Sequence, residues 1–229
     1  MHKLSNRLQK IVDLVPPVTC LADIGTDHAF VPIYLIQKKM IQRAVACDVA
    51  VGPLSIARTN IQAAQLDTQI ATRLADGLLG LRPADQVDLA VIAGMGGQLI
   101  THILNAGSQQ LQSISQLILE PNNDEPLVRQ WLNDSGCWQI VAEAIVQDGR
   151  HNYEIIRAQK QEAVAALTPQ EIMFGPFLLQ EKSPVFRQKW QQQLTRTQLT
   201  LANLIRAQHL EPTKIAFAQQ KLQKIEEII

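Results

Sequence analysis

Cysteine is scarce in this 229-residue chain. Only Cys20, Cys47 and Cys137 occur, and their spacing matches no zinc pattern. An odd, scattered set also excludes a disulfide-built scaffold, so all three are expected reduced, in or near the core. No continuous apolar stretch follows the basic residues of "MHKLSNRLQKIVDLVPPV", which argues against a secretory signal. Nor is any segment long and uniformly apolar enough for a membrane span. The expectation is a cytoplasmic chain without a membrane partner. Internal repeats and low-complexity tracts are lacking, since "QQQ" at 191–193 is too short to count. No Ser-His-Asp or Cys-His arrangement stands out, and no metal site is expected. Net charge is lacking as well: 21 basic residues balance 21 acidic ones, so charge alone names no partner. Finally, "LADIGTDHAF" (21–30) runs from an apolar segment into one glycine, where a dinucleotide fingerprint would carry three.

What is present is a sizeable apolar fraction, 46%, enough for one large domain or a core with an appendage. "SNRLQKIVDLV" reads as a helix capped by Ser5 and stopped by Pro16-Pro17. Strand-like and helix-like segments then alternate. "TCLADI", "AVACDV", "IATRLAD", "VDLAVIAG" and "SQLILEP" read as strands. "HAFVPIYLIQKKM", "GPLSIARTNIQAAQL", "GQLITHILNAG" and "EPLVRQWLNDSG" read as helices. "WQIVAEAIVQDG" and "HNYEIIRAQ" read as a hairpin turning at Asp148-Gly149. The expected fold is therefore α/β, a parallel sheet with helices on both faces and a closing antiparallel hairpin. After Lys160 the strand signals stop. Two long helices separated by Pro212, an antiparallel pair, are expected, with Phe186, Trp190, Leu194, Leu201 and Leu204 near one face of the first. Ile215, Leu222 and Ile225 recur at the same period in the second.

In an open parallel sheet, ligands bind at the carboxyl ends of the strands. The first strand ends in Asp23, Gly25, Thr26, Asp27 and His28, the second in Asp48, and the third in Asp76, Gly77 and Leu78. The fourth ends in Ala93, Gly94, Met95, Gly96 and Gly97, and the fifth in Glu120, Pro121, Asn122 and Asn123. Asp48 is placed to accept from both hydroxyls of a ribose, or else to cap the helix that follows. A loop with one glycine suits a ligand without a pyrophosphate. S-adenosylmethionine is such a ligand. Asp23 or Asp27 could meet its ammonium group, although aspartates also form turns. Asp76 could accept from the adenine amine, or be an ordinary Asp-Gly turn. His28 reads either as a ligand contact or as a capping or packing residue.

These segments resemble a known family. "LSNRL" at 4–8, "ADIGTDHAFVP" at 22–32, "CDVAVGPLSIARTNI" at 47–61, "ADGL" at 75–78, "VIAGMGGQLI" at 91–100, "LILEPN" at 117–122 and "YEII" at 153–156 are similar to the bacterial TrmK-type tRNA (adenine-22, N1)-methyltransferases. The resemblance implies a class I, Rossmann-like methyltransferase domain over 1–162 and a helical, coiled-coil-like tRNA-binding domain over 163–229. It implies S-adenosyl-L-methionine as donor, tRNA as partner and adenine N1 as the methylated atom. Asn122, with Asp27 or His28, would orient the base. Glu120 departs from the glutamine expected there, which leaves its role open. A monomer is favoured.

The zero net charge hides an asymmetry. From Lys182 to Ile225 there are eight basic residues and one acid, a net of +7, against −7 for the rest of the chain. A segregation of that size suggests that the tail meets an anion. Lys182, Arg187, Lys189, Arg196, Arg206 and Lys214 are the expected phosphate contacts. Two other readings stay open: a methyltransferase acting on a protein or small molecule, and a non-enzymatic binding protein on the same fold. The basic tail argues against the first, the set of strand-end acids against the second.

Overall fold

The computed structural model describes residues 4–206 and 211–229, so the end of the first tail helix expected at 207–208 lies outside the described residues. Helix α1 (Asn6–Asp13) is capped as its sequence predicts, with the Ser5 hydroxyl accepting from the Leu8 amide at 3.4 Å. The chain continues through β1 (Cys20–Ile24), α2 (Phe30–Gln37), β2 (Arg43–Asp48), α3 (Val51–Ala63) and β3 (Ile70–Leu74). Two short 3₁₀ turns lead on to β4 (Leu89–Met95), α4 (Gly97–Ala106), β5 (Gln116–Pro121) and α5 (Glu125–Ser135). A hairpin of β6 (Trp138–Asp148) and β7 (His151–Lys160) closes the sheet. Helix α2 starts two residues later than expected, because Ala29 takes a left-handed conformation (φ 54°) and breaks the turn before it. Asp148 pairs with His151, so the hairpin turns at Gly149 and Arg150, one residue beyond the expected pair.

The strand order is β3-β2-β1-β4-β5-β7-β6. β1 through β5 run parallel, and β7 is antiparallel to both of its neighbours. Parallel strands buried on both faces need apolar residues throughout, and β1 is buried at all five positions. One apolar layer includes Ile92, Ile100, Leu104 and Leu132; the other, on the opposite face, includes Ile11, Leu35, Ile61 and Val91. The order reverses at β1 and β4, so their carboxyl ends open into a crevice.

The tail departs from the expected pair of helices by two additions. Short α6 (Pro169–Phe174) and α7 (Pro176–Glu181) precede α8 (Pro184–Arg206) and α9 (Pro212–Glu226). Thr168 and Glu171 form a reciprocal capping box at the start of α6. Phe174, Leu178, Phe186, Trp190, Ile225 and Ile228 make a small core of their own. The ring of Phe174 meets Trp190 edge-on at 4.5 Å. Lys182, just before α8, donates to the carbonyl of Ile228, just after α9, at 2.7 Å, so the two long helices run antiparallel as expected. Of the predicted apolar face, Phe186, Trp190 and Ile225 are buried, while Leu194, Leu201, Leu204, Ile215 and Leu222 are only half-buried.

A chain of buried charges docks this tail onto the sheet. Arg129 of α5 donates to Glu143 of β6 at 2.7 Å and to Glu154 of β7 at 2.5 Å. Lys189 of α8 meets Glu154 at 2.7 Å and also meets Glu125 at the start of α5. The second oxygen of Glu143 accepts the Phe177 amide of α7 at 3.0 Å.

Candidate functional site

The ends of β1 and β2 are tied together by backbone. The amides of Gly25 and Thr26 donate to the Cys47 carbonyl at 2.8 and 2.9 Å, which sets the first loop beside Asp48. Asp23 is buried, and its carboxylate accepts from the Thr26 hydroxyl at 2.6 Å. Burial pushes its pKa up to about 6; the Thr26 hydroxyl opposes this and the Asp48 charge adds to it. The backbone favours glycine at position 25: its φ is +76°, and a Cβ there would lie 2.0 Å from the mobile Cε end of the Met95 side chain. The β1 and β4 loops therefore touch, with the methionine side chain between them.

Asp48 is half-buried, and its Oδ1 accepts the Ala50 amide at 2.7 Å. Ala50 is the N-cap of α3 and no side chain caps that helix, so the capping alternative does not hold. The bond to Ala50 closes a local turn before the helix, and the other oxygen has no partner among the described residues. Asp76 is exposed after β3, and its side chain makes no cap bond to the turn that follows. Leu78 lies in the core, so only its backbone can serve a ligand. Asp27 meets Nδ1 of His28 at 2.8 Å, and the histidine ring stacks on Phe30 at 5.0 Å. Asp23, Gly25, Thr26, Asp27 and His28, with Arg7, line one cavity of about 300 Å³.

The β4 and β5 loops are zipped as well. The Asn122 amide donates to the Met95 carbonyl at 2.7 Å, and Gly97 donates to that of Asn123 at 3.0 Å. Asn122 is exposed at this seam, beside Ala93, Gly94, Met95 and Gly96. The structure gives Glu120 a role that sequence reasoning left open. It is fully buried, accepts from Arg7 at 2.7 Å and from the Gly94 amide at 2.8 Å, and so pins α1 and the β4 loop together. Burial raises its pKa, opposed by Arg7. The Arg7 guanidinium also lies over Tyr153, 5.4 Å from the ring centre. Sequence reasoning missed Arg7: it sits far from any strand end, and its only signal was membership of the "LSNRL" match.

The basic tail residues divide. Arg196 lines a large cleft between the tail and the β5 seam, and Arg206 is exposed in the last turn of α8. Lys214 is exposed and paired with Glu211 at 2.7 Å. Arg187 donates to the Lys182 carbonyl at 3.1 Å, and Lys182 caps the C-terminal turn at Ile228. Lys189 is held between two carboxylates and half-buried, a docking residue rather than a free cation. Lys221 and Lys224 line the cleft, although they were not among the six singled out as phosphate contacts.

A 3-2-1-4-5-7-6 sheet with its seventh strand antiparallel, and acids at the ends of β1, β2 and β3, defines a class I, Rossmann-like methyltransferase. Three acids without cationic partners among the described residues, beside a glycine in a left-handed conformation, fit a donor bearing an ammonium group, a ribose and an adenine. The family model for tRNA (adenine(22)-N(1))-methyltransferase, TrmK, matches residues 21–227, and the chain belongs to that family. The curated tRNA (adenine(22)-N(1))-methyltransferase of Bacillus subtilis is 34% identical over 227 residues, 97% of this chain and 92% of that protein. Streptococcus pneumoniae Sp1610, solved in complex with S-adenosyl-L-methionine, is 38% identical with a TM-score of 0.90, over 99% of each chain. M. capricolum TrmK, solved with S-adenosyl-homocysteine, is 31% identical with a TM-score of 0.87, covering 99% of this chain and 97% of its own.

Proposed function

We propose that this chain transfers a methyl group from S-adenosylmethionine to N1 of adenine 22 in tRNA. The observation that carries the reading is that Asp23, Asp48 and Asp76, at the ends of β1, β2 and β3, meet no cationic side chain among the described residues of a chain of this family. When bound, S-adenosylmethionine supplies a methyl group activated by its sulfonium. Asp48 would hold the ribose hydroxyls, Asp23 or Asp27 the ammonium, and Asp76 the adenine amine, with Gly77 and Leu78 offering backbone groups. The loop of Ala93, Gly94, Met95 and Gly96 would leave room for a flat base. Adenine N1 carries a free lone pair at neutral pH, so the enzyme has no need of a general base. Its tasks are to unpair the base, desolvate its edge and align it. Asn122, with Asp27 or His28, would orient the ring. In this reading residues 1–162 form the catalytic domain, and 163–229 contribute tRNA contacts. The working form is a cytoplasmic monomer.

The test is nucleoside mass spectrometry of an unmodified tRNA transcript incubated with protein and donor. N1-methyladenosine should appear, and it should vanish when adenine 22 is replaced by guanine. No methylated adenosine in any transcript would overturn the reading.

A further inference from the structure

Arg73 lies on β3, in register with Cys47 of β2 and three residues ahead of Asp76. Its side chain is 18% exposed, and that of Asp85 is 11% exposed. The two form a forked pair: Nη2 donates to Oδ1 at 2.6 Å, and Nη1 donates to Oδ2. Nη1 also donates to the Gly80 carbonyl at 2.7 Å, and Oδ2 of Asp85 accepts the Arg82 amide at 2.7 Å. One guanidinium thus staples both 3₁₀ turns, Gly77–Gly80 and Pro83–Asp85, to the edge strand of the sheet. Arg73 holds the Asp85 carboxyl below the usual carboxylate range, so the pair stays charged at neutral pH. The first of these turns is the one proposed to face the donor's adenine. Its own bonds are local, from the Leu79 amide to the Asp76 carbonyl at 3.1 Å and from the Leu81 amide to the Leu78 carbonyl at 2.9 Å. Among the described residues, Arg73 supplies the one hydrogen bond that reaches this turn's backbone from outside residues 76–81. Leu78 is buried in the layer that holds Ile103 and Leu104 of α4, whereas Asp76 is exposed. The amides of Gly77 and Leu78 have no partner among the described residues.

We infer that Arg73, fixed by Asp85, is a positioning residue for the donor: by holding the Gly80 carbonyl it sets the Asp76–Leu78 edge to accept adenine and to reject a base with the opposite hydrogen-bonding edge. This rests on the proposed placement of the donor and deepens it. The adenine edge offers an amine that donates and an N1 that accepts. An acceptor at Asp76 and a free amide at Gly77 or Leu78 match it only if they are held to within about 0.5 Å. A single 3₁₀ turn with two local bonds does not supply that rigidity, because its hydrogen-bond geometry is poor. Arg73 supplies it from a strand that is itself paired to β2. The planar fork is what makes this possible, since one nitrogen serves both the carbonyl and the carboxylate while the other locks the carboxylate. A lysine at 73 is a point donor and cannot span the same three oxygens in one plane. Arg73 therefore acts through the turn, with Nη1 and Nη2 already committed to Gly80 and Asp85.

The experiment measures, by calorimetry, the affinity of S-adenosylhomocysteine and of its counterpart with hypoxanthine in place of adenine. Hypoxanthine reverses both positions of the edge, a carbonyl replacing the amine and an N–H replacing the N1 acceptor. Neither compound has a methyl group to transfer, so binding is read without turnover. The proteins are wild type, Arg73→Lys, the double variant Arg73→Met with Asp85→Asn, and Asp76→Asn, each checked for a wild-type circular dichroism spectrum. The double variant avoids leaving Asp85 as a half-buried charge without its partner. Wild type should prefer the adenine compound by at least about tenfold. The double variant should bind that compound about tenfold more weakly and the hypoxanthine compound within a factor of about two, so the preference nearly vanishes. Arg73→Lys should fall between. In methylation assays KM for the donor should rise by the same factor with kcat at saturating donor unchanged, because the adenine end is remote from the methyl group. Equal weakening of both compounds would make the clamp ordinary architecture and overturn the inference, as would equal binding of both by wild type. If the preference narrows in the Arg73 variants but not in Asp76→Asn, the clamp stands and the assignment of Asp76 falls. If wild type methylates no tRNA, the proposed activity falls, and the two affinities still decide the clamp.

Discussion

Asp23, Asp48 and Asp76, at the ends of β1, β2 and β3, face no cation among the described residues, whereas Glu125, Glu143 and Glu154, between the sheet and the tail, each meet Arg129 or Lys189. Both groups include carboxylates taken from water. Asp23 is pushed up to about 6 by its burial. Burial alone would push the pKa of Glu154 up too, but Lys189 and Arg129 outweigh it and hold that pKa below the usual carboxylate range. A carboxylate sealed with a cation is architecture. One left without a cation at an open strand end is poised for a ligand that brings charge or hydroxyls of its own. The contrast separates the strand-end acids proposed to hold the donor from the junction between sheet and tail without reference to residue type.

The largest break in this contrast comes from opening the sealed set. Arg129→Met would leave Glu143 and part of Glu154 buried without compensation. Breaking a buried pair from one side costs about 3–5 kcal/mol, so urea unfolding should show a loss of that order. S-adenosylmethionine affinity, measured where the variant is still folded, should stay within a factor of about two, since the network lies at the far side of the β5 seam. A variant with unchanged stability would mean that the junction does not depend on this network.

The opposite sign is expected at Asp23. Its folded value of about 6 lies above the ordinary 3.8, so the folded state holds this proton more tightly than the unfolded one. Wild-type stability on this account is greatest below pH 4 and falls as pH rises toward 6. Asp23→Asn keeps an acceptor for Thr26 and removes the buried charge. It should gain on the order of 1–3 kcal/mol at pH 7, a gain that shrinks below pH 6 and disappears below about 4, while donor affinity drops. Thermal melts across that range, paired with calorimetry, would show both signs. A variant that is neither more stable nor weaker in binding would remove Asp23 from the unpaired class.

The fold was legible because its signals are local. A buried strand, a polar turn and an amphipathic helix each announce themselves within a dozen residues, and the strand-end acids follow from the crevice at the carboxyl ends of an open parallel sheet once the strands are placed. Helices α6 and α7 were not legible, since six residues starting at a proline show no periodicity. The sealed charges were hidden for another reason. Lys189 counts as +1 in any census of the tail, and only tertiary structure brings it to Glu154, 35 positions away. Arg7 and Glu120 are separated by 113 positions, so no spacing rule joins them.

At Asp48 the effect is smaller and concerns binding. Losing charge-assisted bonds to a ribose should lower donor affinity at least about tenfold in Asp48→Ala. Loss of the Ala50 contact should cost the unliganded protein no more than about 1 kcal/mol. Calorimetry on folded protein with unchanged affinity would count against the ribose assignment. Smaller again are the tail charges. Arg196→Ala or Lys224→Ala should each reduce the salt slope of tRNA binding by about 0.7–0.9, whereas Lys182→Ala, whose ammonium caps a helix, should leave it unchanged. Equal slopes in all three would erase the distinction between free and committed cations.

The last expectation is for no effect where a base-catalysed enzyme would show one. If adenine N1 attacks through its own lone pair, nothing in the site must accept a proton during transfer. Single-turnover methylation at saturating donor should then be flat between about pH 6 and 8, the range in which a tuned catalytic base ordinarily titrates. Asp27→Asn and His28→Ala should lower the rate without changing the shape of the profile. Both side chains are held in place, by each other at 2.8 Å and by Phe30 against the histidine ring, as orienting groups require. At subsaturating donor the profile should differ. Below about pH 6 Asp23 gains its proton and loses the charge that would meet the donor's ammonium, so the rate should fall there, and Asp23→Asn should abolish that fall. The limb thus belongs to an unpaired carboxylate acting in binding and not to a base acting in chemistry. A limb between pH 6 and 8 that persists at saturating donor and disappears in Asp27→Asn or His28→Ala would reverse that assignment. It would make one of these two residues a proton acceptor and end the account of the site as a device that only holds and aligns.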